Sequence, residues 1–369
     1  MPGTVVVKIG SSSLMEGNHL HTGNMEAAAD QLSALMKDGW KAVLVSSGAV
    51  AAGRMRLGLP AEGLTIPEKQ AAAAVGQGVL MQAYERIFER RGIIIAQVLL
   101  TRDVMGERRR YVHARNTLMT LLHHRVLPIV NENDTVAVEE IRFGDNDALS
   151  AQVAVMVDAD LLVLLTDTDG LYTADPRVDA GAVRIPRLEE ITPQIWRAAG
   201  RTRSRVGTGG MRSKLQAARI ASSTGIPTVI ASARRSRAVL DAVEGKDGGT
   251  YVEPQPHIRG RKRWIAYSSA PRGRLIVDEG AVRALCRDGR SLLAPGLLDV
   301  QGSFSAGDVV SIVGPDGREI ARGVVNYDAR DLQNVRGLRS QDIREMGVAA
   351  RKPEVVHRDD LVIMEEGWR

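Results

Sequence analysis

Cysteine is almost missing from this chain of 369 residues: Cys286 stands alone. That excludes an internal disulfide framework and fits a reducing cytoplasm. Cys286 lies in the apolar helical stretch AVRALC and reads as packing. Aromatic residues are scarce as well, at 4% of the chain. No stretch approaches the ~18 uncharged apolar residues that a membrane span needs. The opening MPGTVVVKIG enters a strand-like run at once, without the layout of a signal peptide. There is no G-x-x-x-x-G-K-[ST], which excludes a P-loop, and no well-placed G-x-G-x-x-G. His357, Arg358 and Asp359 imitate a protein-kinase catalytic loop, but the downstream Asn and any D-F-G are missing. His19, His21, His123 and His124 have no cysteine or carboxylate partners at metal-ligand spacing, so no metal centre built from protein side chains is expected.

Charge of one sign is not concentrated either. The net charge is +5, and residues 254–369 hold 19 basic against 16 acidic side chains. Only Arg259, Arg261, Lys262 and Arg263 form a basic run, which reads as a solvated linker. Residues 264–369 offer Trp264, Tyr267, Phe304, Tyr327 and Trp368 as their aromatics. That is too few for the basic, aromatic-bearing surface of an RNA-binding protein, so RNA is not expected as the main partner.

What is present is an alternation. Strand patterns at Thr4–Ile9, Ala42–Val45, Ile93–Leu99, Val126–Val130, Leu161–Leu165 and Pro227–Ala231 are separated by Ala-rich stretches of helical period. The helical stretches are Met25–Met36, Glu68–Glu89, Thr117–His124, Leu149–Val157 and Met211–Ser222. Strands spaced by helices imply βαβ units and a mostly parallel sheet covered on both faces, an α/β fold class. In such sheets ligands bind beyond the carboxyl ends of the strands. The pattern changes after residue 253. Residues 254–272 read as a linker, and residues 273–369 as a small β-rich domain. That domain has strands at Asp308–Val313 and Arg318–Asn326 around a GPDG turn, short helices at Glu279–Cys286 and Ala329–Val335, and a closing strand in VVHRDDLVI.

Five elements of residues 1–253 carry chemistry. In VVVKIGSSS, Lys8 ends a buried strand and is followed by Gly10 and Ser11, a point charge beside free backbone N–H groups that suits a phosphate. VLVSSGAVAAG places Ser47 and Gly48 at a second strand–glycine–helix junction. VNEND and FGDND gather Asn131, Glu132, Asn133, Asp134, Asp145, Asn146 and Asp147. These could receive a cationic amine, or hold Mg²⁺ already bound to nucleotide phosphates. TDTDGLYTADPR follows a strand with Thr166 and Asp167, a polar loop able to hold a nucleotide. In VGTGGMRSKLQAA, glycines let the backbone approach a polyphosphate, and Lys214 lies in the first turn of the helix that follows. Two lysines, two glycine turns and a carboxylate-rich pocket on one sheet edge are what phosphoryl transfer to a carboxylate requires, because cations must screen two mutually repelling anions.

VVVKIGSSSL, VSSGAVAAG, VNENDTV, FGDNDALSA, LLTDTDGLYTADPR and GTGGMRSKLQAA, in this order, resemble the amino acid kinase family, and within it the branch that acts on glutamate. The C-terminal part resembles the PUA domain that many of that branch carry. The resemblance covers nearly the whole chain. It implies an open αβα sandwich with a mostly parallel sheet over residues 1–253, followed by a PUA-like domain over 273–369. It also implies ATP with Mg²⁺ and L-glutamate as substrates, and L-glutamyl 5-phosphate as product, the first step of proline biosynthesis. Carried over motif by motif, Lys8, Lys214 and Asp147 would be catalytic, with Asp145 and Asp147 orienting the substrate or its metal-bound neighbourhood. Lys8, Gly10, Ser11, Thr166, Asp167, Thr208, Gly209, Gly210, Met211, Arg212, Ser213 and Lys214 would bind ATP. Ser47, Gly48, Asp134, Asp145 and Asn146 would bind glutamate. Ser46 and Arg212 stand where relatives often have Thr and a small polar residue. Proline as feedback inhibitor, a homo-oligomer and contact with glutamyl phosphate reductase are further implications, with no membrane involvement. Within the same family the acceptor could instead be N-acetylglutamate, aspartate, carbamate or a nucleoside monophosphate.

Overall fold

Long β-branched and leucine runs dictate the centre of the molecule. In the computed structural model they form an eight-stranded sheet: β1 (Thr4–Ile9), β2 (Lys41–Ser46), β3 (Ile95–Leu100), β4 (Leu127–Glu132), β5 (Leu161–Thr166), β6 (Arg187–Leu188), β7 (Thr228–Ser232) and β8 (Gly249–Val252). The structure describes residues 2–364 except for 18, 62, 102–103, 105–106, 137–145, 177, 180, 200–209, 256–264, 266–270, 339–341 and 343–352. Two compact units emerge, one of Met1–Thr101 with Val112–His257, the other of Arg102–Tyr111 with Ile258–Arg369.

The strand order of the large sheet is β6-β8-β7-β5-β1-β2-β4-β3. Pairing is parallel throughout except between β7 and β8. Every residue of β5 (LLVLLT) is buried, as is expected of a central strand covered on both faces. After β1 the chain runs outward through β2, β3 and β4, then returns to place β5 on the other side of β1. That reversal makes the carboxyl end of β1 a topological switch point, where α/β sheets hold their ligands.

Helices cover both faces: α1 (Ser11–Leu14), α2 (Thr22–Lys37), α3 (Ala49–Arg56), α4 (Ile66–Glu89), α5 (Arg108–His123), α6 (Asn146–Met156), α7 (Pro193–Ala199), α8 (Met211–Ser222) and α9 (Ala238–Val243). Val5, Val7 and Ile9 of β1 point into the core made with α2, α4 and α9. By the period of two, Val6 and Lys8 face the other side. Helix α4 starts on a capping box, in which the Thr65 N–H donates to Glu68 Oε2 at 2.8 Å. Two glycines let α3 and α4 cross in backbone contact. A Cβ on Gly53 would lie 1.7 Å from the Ala72 carbonyl oxygen, and one on Gly76 1.8 Å from that of Ala49. No other residue type fits there.

The second unit carries β9 (Gly273–Val277), α10 (Glu279–Cys286), β10 (Leu297–Gly302), β11 (Val309–Val313), β12 (Glu319–Val325), α11 (Ala329–Val335) and β13 (Val356–Ile363). Its sheet runs β10-β9-β11-β12-β13, with only the β9–β11 pair parallel. The GPDG turn joins β11 to β12, with Gly317 at φ +80°. One face packs Leu275, Val277, Val310, Ile312, Ala321 and Val325 into the unit's core. On the other, Val309, Val324 and Val362 surround Ile265, with Tyr111 against them.

Some expectations shift. The helix expected at Thr117–His124 begins at Arg108, because three consecutive arginines at its start hide the apolar period. The strand expected at Ile93–Leu99 runs Ile95–Leu100. Strands β6 and β8 and helix α9 carry too short a pattern to read, and α3, α7, β9 and β10 are further elements that the sequence pattern did not suggest. Most of 254–272 lies outside the described residues.

Candidate active site

The carboxyl ends of β1, β2, β4 and β5 bring four of the polar elements to one edge of the sheet. Lys8 is the penultimate residue of β1, in register with Val45 of β2 and Leu164 of β5. On the face to which it points, α6 packs on β1 and α8 packs on α6. Asp147, in the first turn of α6, meets it there. Lys8 Nζ stands 2.6 Å from Asp147 Oδ1, and Lys214 Nζ stands 3.1 Å from Asp147 Oδ2. Ser213 Oγ donates to that same Oδ2 at 2.7 Å. All three charges are withdrawn from water: Lys8 is 1% exposed, Asp147 0% and Lys214 6%. One carboxylate therefore holds two buried ammonium groups side by side. Without a negative charge between them they would repel across a low-dielectric gap.

Helix α8 opens toward this group. Its N-cap is Gly210, which has no side chain to satisfy the first N–H groups. Twelve residues of aligned peptide dipoles put partial positive charge at that end. Lys214 sits one turn in, so a polyphosphate laid along the helix end would meet both the N–H groups and the ammonium group. Gly10 is the N-cap of α1, and a Cβ there would come within 3.4 Å of Lys8 Nζ. Ser11 follows it, half-buried. Thr166 ends β5, buried, and its Oγ1 donates to Asp167 Oδ1 at 3.0 Å. Met211 is half-buried and Arg212 exposed on the first turn of α8. Thr208, Gly209 and Asp145 lie outside the described residues.

A second polar network lies beside Asp147. Asn146 Nδ2 donates to the Ser46 carbonyl at 2.7 Å, to Asn131 Oδ1 at 2.8 Å and to Ser47 Oγ at 3.1 Å. Ser47 is buried at the end of β2, and Gly48 follows at φ +94°, a left-handed turn that aims α3. Behind this row, Asn131 Nδ2 donates to Gln77 Oε1 at 2.9 Å, and Ser46 Oγ lies 2.9 Å from the Tyr84 hydroxyl. Sequence reading did not select Gln77 and Tyr84. Their signal was a polar group on the buried, Ala- and Gly-lined face of α4. Asp134, just past β4, is half-buried. Burial and then the neighbouring Glu132 push its carboxyl up to about 6.

Among the described residues, no group of three or more His, Cys, Asp or Glu is placed to hold a metal. Both Asp147 oxygens are engaged by lysine or serine, so this carboxylate is spoken for.

Comparison with known proteins follows the same lines. The model of the amino acid kinase family matches residues 3–232, and that of the PUA domain matches residues 273–347. Glutamate 5-kinase of Moorella thermoacetica is 49% identical over 362 residues, covering 98% of this chain and 96% of that protein. Glutamate 5-kinase of Synechococcus sp. (strain JA-3-3Ab) is 48% identical over 366 residues, covering 98% and 99%. Among solved structures, carbamate kinase from Giardia lamblia bound to AMP-PNP superposes with a TM-score of 0.51 at 20% identity, covering 69% of this chain and 99% of that one, which speaks for the fold. The chain belongs to the amino acid kinase family, among its glutamate 5-kinases, and carries a PUA domain behind the kinase unit.

Proposed function

We propose that this chain transfers the γ-phosphoryl group of ATP to the side-chain carboxylate of L-glutamate, giving ADP and L-glutamyl 5-phosphate, the first step of proline biosynthesis. The observation that carries the reading is the buried Lys8–Asp147–Lys214 bridge at the switch point of the sheet, in a chain half identical to glutamate 5-kinases. A carboxylate oxygen attacks the γ-phosphorus while the bond to the β–γ bridging oxygen breaks. Charge moves onto the equatorial oxygens and the leaving oxygen. Lys8, at the end of β1, and Lys214, at the start of α8, stand where ammonium groups meet that charge from two sides. Asp147 holds both in place before the substrates arrive, so little reorganisation is needed in the transition state. The N-terminus of α8, with Gly210, Met211, Arg212 and Ser213, takes the phosphates. Gly10, Ser11, Thr166 and Asp167 complete the nucleotide side. Mg²⁺, bound to the phosphates, supplies further charge neutralisation.

On the acceptor side, Ser47, Gly48, Asn146 and Asp134 receive glutamate, with Asp134 opposite the ammonium group. ATP-dependent formation of an acyl phosphate tests the whole reading. With glutamate and hydroxylamine, ADP and glutamyl hydroxamate appear in equal amounts. ADP formation that does not depend on glutamate contradicts it. The single cysteine and the small soluble substrates fit a reaction in the cytoplasm, and no helix among the described residues is long and apolar enough to cross a membrane. The acyl phosphate product is labile in water, so a glutamyl phosphate reductase close by would draw on it. Proline feedback and assembly into a homo-oligomer belong to the same reading.

Asp134 gives this function a pH signature. Its carboxyl is raised to about 6 by burial and Glu132. Below that pH it is protonated and cannot pair with an ammonium group. The parent kcat/KM for glutamate therefore rises as pH increases through about 6, and in Asp134→Asn this limb is lost while the glutamate KM rises about ten- to a hundredfold. The stability effect runs the other way. A raised folded-state value favours the fold below the unfolded value, and that contribution is lost as pH rises through about 6. A profile unchanged in Asp134→Asn removes this residue from the acceptor site.

All of these residues precede 254. Ending the chain after His257 is expected to leave an active kinase with a glutamate KM near that of the parent. Tyr111 loses the Ile265, Val309, Val324 and Val362 cluster in that variant, so some thermal stability goes with it. A truncated protein with the parent's circular dichroism per residue in the kinase unit, yet no turnover, places part of the active site in the second unit.

A further inference from the structure

We propose that Gln77 is a positioning residue for the glutamate side of the site, holding Asn131 in the place from which its oxygen receives the Asn146 amide. The proposal rests on the reading of Asn146 as a substrate-binding group. Three amides stand in a row, and backbone groups at two points decide which way each one faces. The Glu132 N–H donates to Asn131 Oδ1 at 2.9 Å. A backbone N–H cannot be reversed, so that side of Asn131 must be the carbonyl oxygen. Its nitrogen then faces Gln77 and needs an acceptor, which Oε1 supplies at 2.9 Å. At the other end, Asn146 Nδ2 faces the Ser46 carbonyl, which can only accept, and the Asn131 oxygen. Its orientation is fixed in turn, and Asn146 Oδ1 is left as an acceptor without a partner among the described residues.

The cost falls on Gln77. It is 8% exposed, and its Nε2 is buried with no hydrogen-bond partner among the described residues. Turning its amide over would satisfy nothing, because two NH₂ groups would then face each other across the Asn131 contact. A buried donor left unmade is unfavourable, and an apolar side chain at 77 would avoid it. Oε1 is what an apolar residue lacks. The position is rigid: Gln77 follows Gly76, which is locked against Ala49 in the α3–α4 crossing. The row ends at Asn146, the sequence neighbour of Asp147, and its remaining oxygen is suited to an N–H donor of the acceptor substrate.

The test compares two substitutions in the full-length enzyme. Gln77→Met keeps the volume and removes the acceptor, whereas Gln77→Glu keeps an oxygen opposite Asn131 Nδ2. Gln77→Met is expected to raise the glutamate KM about tenfold, the worth of one hydrogen bond of this kind, with the ATP KM near the parent's and kcat lowered less than about threefold. Gln77→Glu is expected to recover most of that loss. Equal impairment of the two variants, or an unchanged glutamate KM in Gln77→Met, overturns the proposal and leaves Gln77 as packing. A parent enzyme that makes no hydroxamate from glutamate counts against the proposed function instead. The relay is then decided by a crystal structure of Gln77→Met: Asn146 Nδ2 still within hydrogen-bond distance of both Ser46 O and Asn131 overturns it, and a displaced Asn146 side chain supports it.

Discussion

Replacing Lys214 with methionine lowers kcat by two to three orders of magnitude and leaves the fold standing. The length and apolar stem of the side chain are kept, so α8 still packs on α6. What goes is a buried ammonium group that, on the proposed function, lies next to the transferring phosphoryl group, where charge builds only in the transition state. Removing a comparable electrostatic donor typically costs ~3–4 kcal/mol. KM values for ATP and glutamate change much less than kcat, since ground-state binding draws on the helix N-terminus and on the Asn146–Asp134 side as well. Steady-state kinetics on the purified variant, with a melting curve to establish folding, decide the point. Turnover within tenfold of the parent removes Lys214 from the chemistry.

The second large effect is expected at Asp147, and it falls on stability as well as rate. Asp147→Asn preserves shape but leaves Lys8 and Lys214 facing each other in the interior without the carboxylate that bridges them. Deleting one member of a buried ion pair costs about 3–5 kcal/mol, because the remaining charge stays buried. For a unit of this size the melting temperature falls on the order of 10 °C. ATP with Mg²⁺ then raises the melting temperature of the variant by more than it raises that of the parent, since phosphate oxygens bring negative charge to the same two lysines. Turnover is lost with the alignment of those lysines. A variant that melts within about 2 °C of the parent shows that Asp147 does not carry the bridge.

The sheet was legible because its strands are long and two-sided. TVVVKI and LLVLLT are almost wholly buried, and β1 and α8 fall where their patterns begin and end. The edge elements were not, because β6 has two residues and β8 four, too few for any period to show. The site was legible where chemistry is crowded into one motif, as in VVVKIGSSS or GGMRSK, each a strand end or a helix start. What no linear pattern contains is that Asp147, 139 residues from Lys8 and 67 from Lys214, lies between the two. Packing of α6 between β1 and α8 creates that contact. Gln77 was invisible for a related reason. In AAAAVGQG it is one polar residue on a long helix, and only its hydrogen bond with Asn131 of β4 reveals which way it faces.

The choice of acceptor follows from the same geometry. On the proposed function, Asp134 and Asn146 Oδ1 offer acceptors to an ammonium group. N-acetylglutamate has no such group and adds bulk, and a site built to hydrogen-bond a missing group can reject the analogue by ~10⁴-fold or more. The most direct measurement is the rate of hydroxamate formation with ATP, Mg²⁺ and hydroxylamine across glutamate, N-acetylglutamate and aspartate, with ADP release followed for carbamate and a nucleoside monophosphate. Glutamate is expected to exceed every other acceptor in kcat/KM by orders of magnitude. N-acetylglutamate, or any other member of the panel, matching or surpassing glutamate would contradict the assignment.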